Sequence, residues 1–302
     1  MSAAHTPARV SIHGGHSGQF CNHAGDLLED IIQAYIDKRF AWVGITEHMP
    51  PLSDRFLYPE EARQGLDARK MYRRFEQYVS TCRRLQDKYR SQIQLFVGCE
   101  LESYEGATEF ARQLMDTFAF DYVVGSLHHV DNIGFDYSPE RYRAAVRSAG
   151  GSEELYCSYF DAQFEMIAAI EPQVVGHFDL IRIFDDQYKR RLARPAVVKR
   201  IRRNLELIRD LDLTLDLNVR ALSKGATEPY PTRTILQQAV EMGISVVPGD
   251  DSHGADTVGV FIDEAIRILL ELGADTNWRK PTAVDASNAP FDNATDTEKE
   301  SS

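Results

Sequence analysis

The sequence predicts an α/β fold, a closed or nearly closed parallel barrel with a polynuclear metal site at the C-terminal ends of its strands. Three observations carry this. Seven short apolar runs alternate with helical patterns, the runs are apolar on both faces, and eight of the nine histidines stand at or just after a run. Apolar strands alternating with helices indicate a parallel sheet whose crossovers cover both faces. Seven such units favour a barrel over an open, doubly wound sheet. No GxGxxG or GxxxxGK[ST] loop follows the first run, which weakens the nucleotide-binding form of that alternative.

The predicted strands are 9–13, 41–46, 93–98, 121–126, 173–177, 213–219 and 244–249. The first predicted helix covers 26–38, where Leu27, Leu28, Ile31, Ile32 and Tyr35 recur at helical spacing. Helices at 66–90, 106–117 and 152–170 follow, then 198–211, which repeats the pattern with Ile201, Leu205 and Ile208. Helices at 230–241 and 258–272 complete the alternation. Two long connections, 49–65 with three prolines and 129–151 ending in Gly150-Gly151, are expected to cover or line the site. Residues 8–272 form one domain, and the Thr-, Asn-, Asp- and Ser-rich stretch 277–302 reads as a disordered tail.

Composition narrows the function. The formal net charge of −12 disfavours nucleic acid and anionic membranes as partners, leaving a small substrate. Cys21, Cys82, Cys99 and Cys157 contain no CxxC pair, so neither a disulfide framework nor a thiolate zinc site is expected. Cys21 and Cys99 read as small packed residues near the site. The N-terminus has no apolar h-region and no run is long enough to span a membrane, which predicts a soluble cytoplasmic protein.

In a β/α barrel, functional groups gather where the βα loops emerge. Strand one delivers His13 and His16, with His23 on its loop; strand two delivers Glu47 and His48; strand three delivers Glu100 and Glu102. The fourth ends at His128 and His129, the fifth at His177 and Asp179, the sixth at Asn218 and Arg220, the seventh at Asp250, Asp251 and His253. One histidine at a strand end is more often a hydrogen-bonded loop residue than a ligand. Six clusters at matching positions reverse that reading, although His129 and His5 keep it. Imidazoles with carboxylates suit zinc, iron or manganese, and their number suits two or three ions bridged by a carboxylate such as Glu100. Such a site lowers the pKa of a bound water and neutralises phosphoryl oxygens. Arg182, Arg220 and Lys224 are candidates to hold a substrate phosphate, and Asp136 and Tyr137 to contact substrate. A serine hydrolase at Ser126 or Ser252 is discounted, since neither has a GxSxG elbow.

With these residues assembled, the chain resembles the polymerase and histidinol phosphatase (PHP) family, in its histidinol-phosphatase branch. The motifs, in the family's order, are His13-Gly-Gly-His-Ser-Gly-Gln-Phe-Cys-Asn-His23, Gly44-Ile-Thr-Glu-His48, Val97-Gly-Cys-Glu100, Val124-Gly-Ser-Leu-His-His129, Val175-Gly-His-Phe-Asp-Leu180 and Gly249-Asp-Asp-Ser-His253. The resemblance implies a distorted (β/α)7, TIM-barrel-like fold and a phosphomonoesterase using a metal-bridging hydroxide, with L-histidinol phosphate as substrate. By position, one ion would take His13, His16, Glu100 and Asp251. A second would take Glu100, His128 and His177, and a third His23, His48 and His253. Asp251 or His253 would assist proton transfer to the leaving alkoxide. Two departures stand out: the family's His-x-His is here His13-Gly-Gly-His16, and Glu47 replaces the usual Asp. If His13 fails to reach the metal, the first ion is weakened or lost. The alternatives are another small phosphoester as substrate, or a metal-binding barrel without catalysis.

Overall fold

The computed structural model describes residues 6–281. Among them, seven parallel strands form one sheet: β1 (Val10–Gly14), β2 (Trp42–Ile45), β3 (Gln94–Leu101), β4 (Tyr122–Gly125), β7 (Val174–Val175), β8 (Thr214–Asn218) and β9 (Ser245–Gly249), neighbours in that order. The short antiparallel hairpin β5 (His129–Val130) and β6 (Ile133–Gly134) lies apart. The first and last barrel strands meet without a regular ladder. Asp251 N donates to His13 O (2.8 Å), His16 N to Ser252 O (2.8 Å), and Ser11 Oγ to Asp250 Oδ1 (2.6 Å). The predicted seven-stranded barrel is therefore present, distorted at this seam.

The helices are α1 (Leu28–Asp37), α2 (Pro59–Arg63), α3 (Ala68–Tyr89), α4 (Ala107–Thr117), α5 (Pro139–Ala149), α6 (Ser152–Ile170), α7 (Tyr188–Leu192), α8 (Pro195–Asp210), α9 (Arg220–Ser223), α10 (Arg233–Glu241) and α11 (Ile262–Glu271). The first and last of these bury clear apolar stripes. On α1 this is Leu28, Ile31, Ile32 and Tyr35, and on α11 Ile262, Ala265, Ile266 and Leu269. No helix of the described residues is long and apolar enough to cross a membrane.

Three expectations need correction. The connection 129–151 is not a plain loop. It contains the hairpin and α5, which Ser138 caps by accepting from Arg141 N, with Pro139 in the first turn and Gly150 at φ 88° ending it. Only Tyr142 and Ala145 of α5 are buried, so its periodicity was weak although its caps were legible. Likewise 49–65 contains a 3₁₀ turn at Asp54–Phe56 and α2. The start of the predicted tail is packed: Trp278 is buried and donates from Nε1 to Ala8 O (2.7 Å), and Arg279 pairs with Asp212. Residues 282–302 of that tail, and His5, lie outside the described residues.

Gly44 keeps β2 close to its neighbours. An added Cβ would stand 1.7 Å from the Tyr122 hydroxyl, which is buried and donates to Ile12 O. Gly44→Ala is expected to cost about 1–3 kcal/mol through overpacking, seen as a lower thermal midpoint. An unchanged midpoint would mean that the Tyr122 ring can move aside.

Candidate metal centre

The His13-Gly-Gly-His16 departure has a local solution. Val10 pairs with Trp42 and Ser11 with Val43, but the next partner of Ile45 is Gly14, so three steps of β1 face two of β2. The extra residue is taken up as a bulge. Only glycine fits its end: a Cβ on Gly14 would stand 2.7 Å from Gly44 O, and Gly15 has φ 33°. His13 and His16 are both fully buried, and each brings a donor atom into a group with Asp251 in which all three atoms lie within 4.8 Å of one another. Asp251 itself holds a left-handed φ of 45°, fixed by its N–H bond to His13 O.

Glu100, on β3, is the hub. Its Oε2 lies 3.3 Å from His13 Nε2, 3.6 Å from His16 Nε2 and 3.1 Å from His48 Nδ1, and its Oε1 is 3.4 Å from His128 Nε2 and 2.9 Å from His177 Nε2. Glu102, one turn of the pleat further, stands 3.0 Å from His128 Nδ1 and 3.3 Å from His129 Nδ1, and accepts from Tyr58 OH (3.1 Å). His13 Nδ1 lies 2.9 Å from Asp216 Oδ2, a fully buried carboxylate on β8 that also accepts from Asn218 Nδ2. Contact with Asp216 orients the ring so that Nε2 faces Glu100.

The charges divide the histidines. Burial lowers His23 to about 4, helped by the nearby His16 charge, and His48 to about 3 despite Glu100; His253 is also pushed well down by burial and His16. These rings are neutral at neutral pH, the form that binds metal. Burial would also lower His13 and His16, but it is outweighed by Glu100 and Asp251 at His13, which is raised, and by Asp251 and Glu47 at His16, raised to about 9. Burial opposes ionisation of Glu100, Glu102 and Asp251, yet the surrounding imidazoles hold all three well below the usual carboxylate range.

The residues fit divalent ions. His13 Nε2, both ring nitrogens of His16 and His48, His128 Nδ1, His177 Nδ1 and Glu102 Oε2 are buried without a hydrogen-bond partner. Each such atom costs about 1–3 kcal/mol when unsatisfied, and their convergence is what cation coordination relieves. Donor atoms fall into overlapping groups: His13, Glu100 and His177; His13, His16 and Asp251; His16, His48 and Glu100; His48, Glu102 and His128; and Cys21, His23, His48 and His253.

Residues 14–220 match the PHP domain family. The chain belongs to the PHP family. Relatives of this PHP chain include a Schizosaccharomyces pombe protein assigned as a histidinol-phosphatase, 36% identical over 83% of this chain and 82% of that protein. A second is the histidinol-phosphatase of Saccharomyces cerevisiae, 28% identical over 86% and 88%. Among solved structures, a Listeria monocytogenes chain assigned as a histidinol phosphatase superposes with a TM-score of 0.72 at 25% identity, covering 84% of this chain and 97% of that one. The histidinol phosphate phosphatase of Lactococcus lactis, complexed with zinc, L-histidinol and phosphate, shares the fold at a TM-score of 0.65 and 17% identity, covering 89% and 94%. The expected family and barrel are both confirmed.

His13, His16, His23, His48, His128, His177 and His253 come together at one end of the barrel, and two of the predicted groupings recur, His13 with His16 and Asp251 and His23 with His48 and His253, but the second is divided. His13 groups with Glu100 and His177, while His128 groups with Glu102 and His48. Glu102, named in the sequence only as a cluster member, takes a central place. Asp216 escaped notice altogether, although a lone carboxylate inside the apolar run Leu213-Thr-Leu-Asp-Leu217 is a signal of a buried partner. The basic residues separate. Arg182 is turned away into its own turn: buried, it donates from Nη2 to Glu228 O (2.9 Å) and Pro229 O (2.6 Å), and its guanidinium lies 4.2 Å from the Tyr230 ring. Arg220 keeps a buried Nε without a partner, and its charge reaches His253. Lys224 is exposed, and its charge reaches His23 and Asp136. Asp136 has a buried, unpartnered Oδ1, and the Tyr137 ring lies edge-on to Tyr58 at 5.9 Å.

Proposed function

We propose that this PHP chain hydrolyses L-histidinol phosphate to L-histidinol and inorganic phosphate, a cytoplasmic step of histidine biosynthesis. Two or three divalent ions (zinc, iron or manganese) would be held by His13, His16, His23, His48, Glu100, His128, His177, Asp251 and His253. The observation that carries this reading is the convergence of five imidazoles on Glu100 at one end of the barrel. The names of the fungal relatives support the substrate.

Bound ions supply positive charge to the phosphoryl oxygens and acidify a water at neutral pH. The chain's own groups do the rest. Arg220, whose buried Nε has no hydrogen-bond partner and whose charge reaches His253, holds the phosphate and stabilises charge as the P–O bond breaks. His253 donates from Nδ1 to Asp251 O (2.9 Å), which leaves Nε2 with its lone pair. Asp251 Oδ2 accepts from Asn218 Nδ2 (3.2 Å), so its carboxylate is fixed in place to hold the proton released by the attacking water. That proton passes to the departing alkoxide oxygen. Tyr58 and the hairpin that carries His129 flank the site and restrict water.

Purified chain of measured metal content, assayed for phosphate release from L-histidinol phosphate and from a panel of sugar and nucleotide monophosphates, tests the proposal. Metal-replete protein that releases no phosphate, or that prefers another ester, overturns it. The two arginines give a sharper contrast. Arg220→Ala is expected to lower kcat/KM by about 10²-fold with the fold intact. Arg182→Ala is expected to lower the denaturation midpoint instead, costing about 2–3 kcal/mol because two carbonyls and Asp179 lose a buried cation. Steady-state kinetics and chemical denaturation of both variants read the difference.

A further inference from the structure

One sulfur stands among the nitrogen and carboxylate donors. Cys21 is buried in the turn after β1, its backbone fixed by the bond from Cys21 N to Ser17 O (2.8 Å). Its Sγ is 3.3 Å from each ring nitrogen of His23, and Sγ with one donor nitrogen from each of His23, His48 and His253 all lie within 4.8 Å of one another. Around a tetrahedral ion with bonds near 2.3 Å to sulfur and 2.0–2.1 Å to nitrogen, neighbouring donors are roughly 3.3–3.6 Å apart. The Cys21–His23 pair stands at that spacing, and the remaining pairs lie within 4.8 Å. An independent observation points to a ligand in the same place. Both ring nitrogens of His48 are buried and unpartnered, as are both of the fully buried His16, whose ring centre is 4.5 Å from those of His48 and His253.

We infer that Cys21 supplies a thiolate to the ion held by His23, His48 and His253, making a His₃Cys position that favours zinc over manganese. The inference rests on the reading of the site as a metal centre. Sulfur is the soft donor of the set, and soft donors discriminate against manganese. As the sulfur–metal bond forms, the S–H bond breaks and its proton passes to solvent, with no change of oxidation state.

The test uses the full-length chain, stripped of metal and titrated with cobalt(II). Wild type is expected to show a thiolate-to-cobalt charge-transfer band in the near ultraviolet that is absent from Cys21→Ala and Cys21→Ser. Both variants should retain the visible cobalt bands of the remaining positions. In zinc/manganese competition their preference for zinc should fall by about tenfold or more. Cobalt bound without the charge-transfer band, or a band that persists in Cys21→Ala, overturns the role of Cys21 and leaves the metal centre standing. Wild type that binds no cobalt overturns the metal centre itself.

Discussion

Glu100→Gln is expected to strip the chain of at least one ion and to lower kcat/KM by about 10³-fold or more, with the barrel still folded. The substitution conserves volume and removes one charge. That charge faces His13, His16, His48, His128 and His177 at 2.9–3.6 Å, and among the described residues no other group touches all five. Glu102 and Asp251 each reach only part of the set, so neither can replace it. Elemental analysis and phosphate release on the same preparation, with circular dichroism as the control for folding, check the result. Full metal content with full activity would remove Glu100 from the centre.

His13→Ala is expected to follow at about 10²–10³-fold, accompanied by weaker metal retention. Its companion Asp216→Asn should cost about 10–100-fold, because the asparagine can still touch the ring but no longer carries the charge that raises its basicity. The order of the two effects is the informative part. If Asp216→Asn were the more damaging, the buried carboxylate would be acting on more than His13. If His13→Ala left metal content and turnover untouched, the bulge of β1 would be a structural accommodation only.

The barrel was legible because its evidence is distributed: the strands are short and apolar on both faces, and helices with clear stripes, such as α1 and α11, alternate with them. The clustering of the histidines was legible for the same reason, since topology alone brings strand ends together. What escaped depends on directions that one-dimensional spacing does not encode. Arg182 follows a strand as Arg220 does, yet three local acceptors and an aromatic face turn it inward. Helix α5 lies where the apolar period is weak, and only its caps announce it. Asp216 was hidden by its surroundings, because a single acid among leucines reads as an interruption until His13 is found beside it. The His13-Gly-Gly-His16 spacing left open whether His13 could arrive; the answer lay in the register of β1 against β2.

The seam between β1 and β9 also bears on the order of events during synthesis. Ser11 and Asp250, which meet there, are separated by 239 residues of chain. At about 5–20 residues per second, a ribosome needs roughly 12–50 s to deliver the second after the first. Throughout that interval His13 and His16 lack Asp251, and no partly made chain can offer an ion the full set of donors. Completion of the groups that contain Asp251 or His253 is therefore a late event, and an ion bound there would act as a clasp, joining the oldest and the newest parts of the polypeptide once the last strand has emerged.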